Sequence, residues 1–131
     1  MPNEELRDAW DKALDRYADL DAAAARFNVT LLEMLRPRWE SSVRPDTSMF
    51  MLLFTRPEVT GYHFDERVEV IVEAADRVRL AFVRNAPRRG EVLPAGPVTV
   101  TGDYTRPANA MQAVEALLFQ LASPEQPQLP R

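Results

Sequence analysis

Glu66-Arg67-Val68-Glu69-Val70-Ile71-Val72-Glu73-Ala74-Ala75-Asp76-Arg77-Val78-Arg79-Leu80-Ala81-Phe82-Val83-Arg84 is the stretch on which the fold turns. Its first half places Val68, Val70 and Val72 at every second position. Its second half does the same with Val78, Leu80 and Phe82. A period of two is the pattern of a β-strand with one buried face. Strands are therefore predicted over 66–73 and 77–84, joined by Ala74-Ala75-Asp76. A three-residue loop sets Glu73 opposite Arg77. It then sets Val72 opposite Val78, Val70 opposite Leu80 and Val68 opposite Phe82, so all six apolar side chains share one side. A two-residue loop would oppose apolar to polar positions on every rung and is rejected. The opposite charges of Glu73 and Arg77 add a small preference.

Working outward, Ser48 to Thr55 reads as another strand. Met49, Met51 and Leu53 alternate with Phe50, Leu52 and Phe54, so both faces are apolar and the strand is expected to be covered on both sides. Downstream, Asn85–Gly96 is a long loop and Pro97–Thr101 a fourth strand, with Val98 and Val100 inward. Gly102-Asp103-Tyr104 is expected to turn the chain. Thr105 is a fair helix cap and Pro107 suits a first turn. A final helix then runs to about Ala122, with Ala110, Met111, Val114, Leu117, Leu118 and Leu121 as its apolar stripe.

Upstream, Leu6, Trp10, Ala13, Leu14, Tyr17, Leu20, Ala24 and Phe27 recur at helical spacing, predicting a helix over 4–26 capped by Asn3. Asn28-Val29-Thr30 interrupts it, and Thr30-Leu31-Leu32-Glu33 has the form of a capping box. A second short helix is expected at 31–36, stopped by Pro37. One continuous helix over 4–35 is the rival, and a strand at 27–35 fits less well. Residues 37–47 read as a loop anchored by Trp39. The sum is a two-layer α+β domain over 1–123, a four-stranded antiparallel meander with a long N-terminal helix, a short helix and a C-terminal helix. The proline-rich stretch 124–131 reads as a disordered tail.

Composition excludes several classes of chemistry. The chain has 131 residues, no cysteine and one histidine, His63. Disulfides, thiolate metal sites, a cysteine nucleophile and multi-histidine metal centres are thereby excluded. No apolar run approaches the roughly 18 residues of a membrane helix, and nothing at the N-terminus reads as a secretion signal. A cytoplasmic protein without membrane contact is expected. Lys12 is the only lysine among 16 basic residues, a bias of GC-rich, bacterial-type coding sequence.

The motif search is mostly negative. The glycines at 61, 90, 96 and 102 form no phosphate-binding loop, and no serine sits in a nucleophile elbow. His63 lies beside Asp65 and Glu66, and a small-molecule pocket near His63, Asp103 and Tyr104 is one candidate, though a lone histidine in a polar turn is usually just solvated. Asn28-Val29-Thr30 matches a glycosylation sequon and is discounted for lack of a secretion signal. No catalytic residue, metal ligand or cofactor is assigned.

Charge is unevenly spread. The chain carries a formal net charge of −4, yet residues 61–76 hold −4 and residues 77–106 hold +4. Arg79, Arg84, Arg88 and Arg89 form a candidate anion-binding group, able to take phosphate or carboxylate. Pairing with the acidic neighbouring strand is the structural alternative. The acidic total and the lack of interleaved aromatics weigh against nucleic acid. The doubly apolar strand needs a cover on its second face: residues 27–44, a second subunit or a client peptide. Trp10, Trp39, Met49, Met51 and Leu53 are the candidate interface residues. The layout over residues 4–122 resembles small secretion-chaperone-like α+β domains, which implies an acidic homodimer that binds other proteins, and transfers no functional residue. The expected function is a non-enzymatic protein-interaction module, homodimeric and adaptor-like. A nucleic-acid accessory role and a small-molecule pocket are the alternatives.

Overall fold

The computed structural model describes residues 2–57, 66–84 and 99–122. The element order is α1 (Pro2–Ala18), α2 (Ala23–Trp39), β1 (Arg44–Ser48), β2 (Met51–Thr55), β3 (Glu66–Ala74), β4 (Arg77–Arg84), β5 (Thr99–Thr105), a 3-10 turn (Pro107–Asn109) and α3 (Ala110–Ala122). The strands form one antiparallel sheet in the order β1-β2-β3-β4-β5. The α+β meander read from sequence is present, with five strands rather than four.

The β3–β4 register agrees with the one derived from alternation: Val68 opposes Phe82, Val70 opposes Leu80 and Val72 opposes Val78. The connection differs. Ala74 opposes Arg77 across a two-residue turn, and the register shifts between Val72 and Ala74. An irregularity at Glu73 absorbs the odd residue, which keeps the valines on the core face despite the shorter turn. The displaced Glu73 accepts from Arg79 Nε at 2.9 Å and lies 4.0 Å from Arg77 Nε.

The extra strand is β1, Arg-Pro-Asp-Thr-Ser, whose first four residues lie in the stretch expected to be a loop. It has no alternation to announce it. It is an edge strand, where Pro45 costs no interior ladder bond. The predicted strand 48–55 is split: Ser48 opposes Met51, and Met49-Phe50 form a two-residue turn. Met49 has φ 55°, the left-handed region, and is the only described non-glycine residue there. Two helical side chains hold this turn. Tyr17 Oη donates to the Met49 carbonyl at 2.7 Å, and Asn28 Nδ2 donates to the Phe50 carbonyl at 3.0 Å.

That second bond explains the helix boundaries. α2 runs unbroken through Asn28-Val29-Thr30, where a stop was expected, because Asn28 is fully buried and spends its amide on the hairpin. The sequon asparagine is therefore an interior side chain. The break comes earlier, after Ala18, where Asp19, Leu20 and Asp21 lie exposed between the helices. Pro37 does not end α2 either. It sits in the last turn, and Trp39 continues the helix into the core.

β5 covers Thr99–Thr105, so Gly102-Asp103-Tyr104 is strand and not turn. Thr101 opposes Phe82 and Val100 opposes Val83, and the side chain of Val100, expected inward, lies outside the described residues. Val98, the long loop 85–96 and the tail 124–131 lie outside the described residues. So does His63.

The helices pack on one sheet face. Trp10, Ala13 and Tyr17 of α1, Leu31, Leu32, Leu35 and Trp39 of α2, and Val114, Leu118 and Leu121 of α3 share a core with Leu52, Phe54, Val68, Val70, Val78, Leu80 and Phe82. Burial of each large side chain contributes about 1.5–3 kcal/mol. Trp10 Nε1 donates to the Val43 carbonyl at 3.3 Å. Arg36 ties α1 to α2, bonding Glu40 at 2.6 Å and Asp11 at 3.0 Å. Burial by itself would lower the Arg36 pKa, but those two carboxylates outweigh it and the net shift is upward.

Candidate functional site

The interface residues expected from sequence are scattered by the fold. Trp10 and Trp39 are core residues, packed between helices and sheet, and present no surface to a partner. Trp39 is edge-on to Phe119 at 4.9 Å and donates its Nε1 to Glu115 at 2.8 Å. Met49 is 76% exposed at the hairpin tip, Met51 is half-buried and Leu53 is 6% exposed. The segment 27–44, expected as a possible cover for the second strand face, instead supplies most of α2, in the core with Leu52 and Phe54. Leu53, Thr55, Ala81 and Val83, at outer-face register positions, are nevertheless buried. Arg67 and Glu69 of the neighbouring strand pair at 2.6 Å on that face.

The candidate anion-binding arginines also separate. Arg79 pairs with Glu73, as the alternative of cross-strand pairing requires. Arg84 closes β4 opposite Thr99 and Glu66. Its side chain, and Arg88 and Arg89 entirely, lie outside the described residues. Tyr104 is exposed beneath Arg77, whose guanidinium carbon stands 3.9 Å from the ring centroid, a cation–π contact. No group of three or more potential metal-ligating side chains occurs among the described residues.

The feature that stands out is a cleft of about 480 Å³ along α2. α2 carries two apolar registers. Ala25, Leu32, Leu35 and Trp39, with the polar Asn28, lie on the buried side, and Leu31 between the two registers is buried as well. Ala23, Phe27, Leu31 and Met34 form a second, at steps of four, four and three, and line one wall of the cleft with Arg26 and Thr30. The opposite wall comes from the β3–β4 turn, through Val72 and Ala75, and from the approach to α3, through Pro107, Ala108, Ala110 and Met111. Met34 is 51% exposed at its mouth.

The chain matches no family model, no curated protein and no solved structure.

The chemistry of the cleft follows from its lining. Its polar side chains are Arg26 and Thr30, and Arg26 is paired with exposed Asp21 at 2.7 Å. Among the described residues no carboxylate, histidine or tyrosine lines it. What it offers is apolar surface edged by two methionines, side chains that adapt their shape to what they contact. Met111 was legible as part of an apolar stripe. Phe27 and Met34 were not singled out as binding residues, although the doubled apolar register of 23–39 was a signal for them.

The cleft has a polar neighbour of about 350 Å³, lined by Asp76, Arg77, Tyr104, Thr105, Arg106 and Asn109. The same two short segments wall both. Ala75 faces the cleft and Asp76 the polar pocket; Pro107 and Ala108 face the cleft, and Arg106 and Asn109 the pocket.

Proposed function

We propose that this protein is a non-catalytic interaction module whose α2–α3 cleft receives the apolar face of a helical segment from a protein partner. The observation that carries the reading is the second apolar register of α2. From Ala23 to Met34 it extends for about 16 Å at the usual helical rise. A trough of that length, open to solvent at Met34, suits side chains at i, i+3, i+4 and i+7 of an incoming helix. Its volume falls in the range of about 300–1,000 Å³ typical of ligand sites. The apolar side chains of its described lining favour recognition over catalysis.

The test uses the methionines as reporters. In protein labelled with 13C at the methionine methyls, Met34 and Met111 belong to the cleft, while Met49 and Met51 belong to the β1–β2 hairpin. The probe is a model amphipathic helix with leucines at i, i+3, i+4 and i+7. The expected result is saturable movement of the Met34 and Met111 signals with Met49 unmoved. Shifts confined to Met49 and Met51, or none at millimolar peptide, refute the reading.

A further inference from the structure

We infer that the cleft selects a partner segment carrying a carboxylate beside its apolar face, held by Arg77 and Arg106. The inference rests on the cleft reading above and adds the charge of the ligand. Among the described residues the polar pocket is lined by Arg77, Arg106 and the carboxylate of Asp76, and Glu73 beside it is shared between Arg77 and Arg79, so three guanidinium groups face two carboxylates and leave a locally positive corner on a chain of formal net charge −4. Arg77 is pre-positioned by the Tyr104 ring at 3.9 Å and by Glu73 at 4.0 Å. Arg106 is exposed, and among the described residues its guanidinium has no hydrogen-bond or ion-pair partner. Guanidinium groups take carboxylates through paired N–H donors, and the neutral side chains of Thr105 and Asn109 complete a polar lining. Because the β3–β4 turn and the approach to α3 wall both spaces, a helix lying in the cleft brings the residue flanking its apolar face to the arginines. An acidic residue there gains attraction, and a lysine meets like charge.

Two dye-labelled model helices test this, identical in their leucines and flanked by either two glutamates or two glutamines. Binding is read by fluorescence anisotropy at low salt and at about 0.5 M salt. In wild type the glutamate peptide is expected to bind about three- to tenfold more tightly at low salt, with the gap closing at high salt. Arg106→Gln, which removes an exposed side chain without a partner, narrows the gap. Arg77→Gln combined with Arg106→Gln abolishes it, while affinity for the glutamine peptide stays unchanged. Equal affinities in wild type, with both peptides moving Met34 and Met111, overturn the charge selection and leave the cleft reading intact. Failure of both peptides to move those signals overturns both. Movement of the same signals with protein concentration alone assigns the cleft to a second copy of this chain and refutes the acidic peptide.

Discussion

Replacing Met49 with glycine is expected to stabilise the protein. Met49 is the first residue of the β1–β2 turn and sits at φ 55°. For a residue with a Cβ, that region costs roughly 1–2 kcal/mol relative to right-handed backbone. Glycine removes the cost but loosens the unfolded chain, returning about 0.4–1 kcal/mol of the gain. The Met49 side chain is 76% exposed, so deleting it forfeits little burial. The bond from Tyr17 ends on the backbone carbonyl and survives the change. The net expectation is a gain of about 0.5–1 kcal/mol, or a rise of about 2–5 °C in Tm. Urea denaturation followed by circular dichroism measures it, and the slope with denaturant should not change. A series sharpens the test. Asparagine tolerates the left-handed region and should fall between glycine and methionine, whereas β-branched valine should fall about 1 kcal/mol below methionine. If glycine gives no gain, or valine matches methionine, the strain assigned to this turn is not there.

Tyr17→Phe removes the bond to the Met49 carbonyl and should cost about 0.5–1.5 kcal/mol near neutral pH. Burial raises the Tyr17 pKa, with a bond from Asn28 and the charge of Arg16 opposing it. The folded phenol therefore keeps its proton to higher pH than the unfolded one. Its contribution is complete below about pH 10 and is lost as pH rises through the folded value. Thermal melts above pH 10 should accordingly decline more steeply for wild type than for Tyr17→Phe, and parallel slopes would contradict this. Glu115→Ala should destabilise by about 1–3 kcal/mol, because it strands the buried Trp39 N–H and unpairs Arg38. Glu115→Gln keeps an acceptor and should recover most of that loss in the same urea titration.

Local pattern was enough for the centre of the sheet. The valines of β3 and the Val78, Leu80 and Phe82 set of β4 share one face only when the strands pair in matching phase, and a one-residue slip turns three of them to the other face at once. The helix stripes of α1 and α3 were legible for the same reason: a period of 3.6 leaves one apolar face and one place to put it. What local pattern did not contain was β1, the hairpin at Met49, the continuity of α2 and the cleft. β1 has no alternation, since its strand geometry comes from pairing with β2. Met49 has no intrinsic preference for a positive φ, which Tyr17 and Asn28 impose from 32 and 22 residues away. The same distant bond turns Asn28 from a helix stop into a buried anchor. The two apolar registers of α2 blurred its periodicity, and only packing decided that one faces the sheet while the other, buried at Leu31 and exposed at Met34, lines the cleft beside Met111. Period and burial are properties of neighbouring residues and can be read along the chain. The left-handed turn, the buried amide and the cleft arise between segments far apart in sequence, so their free energies exist only once the chain has closed on itself.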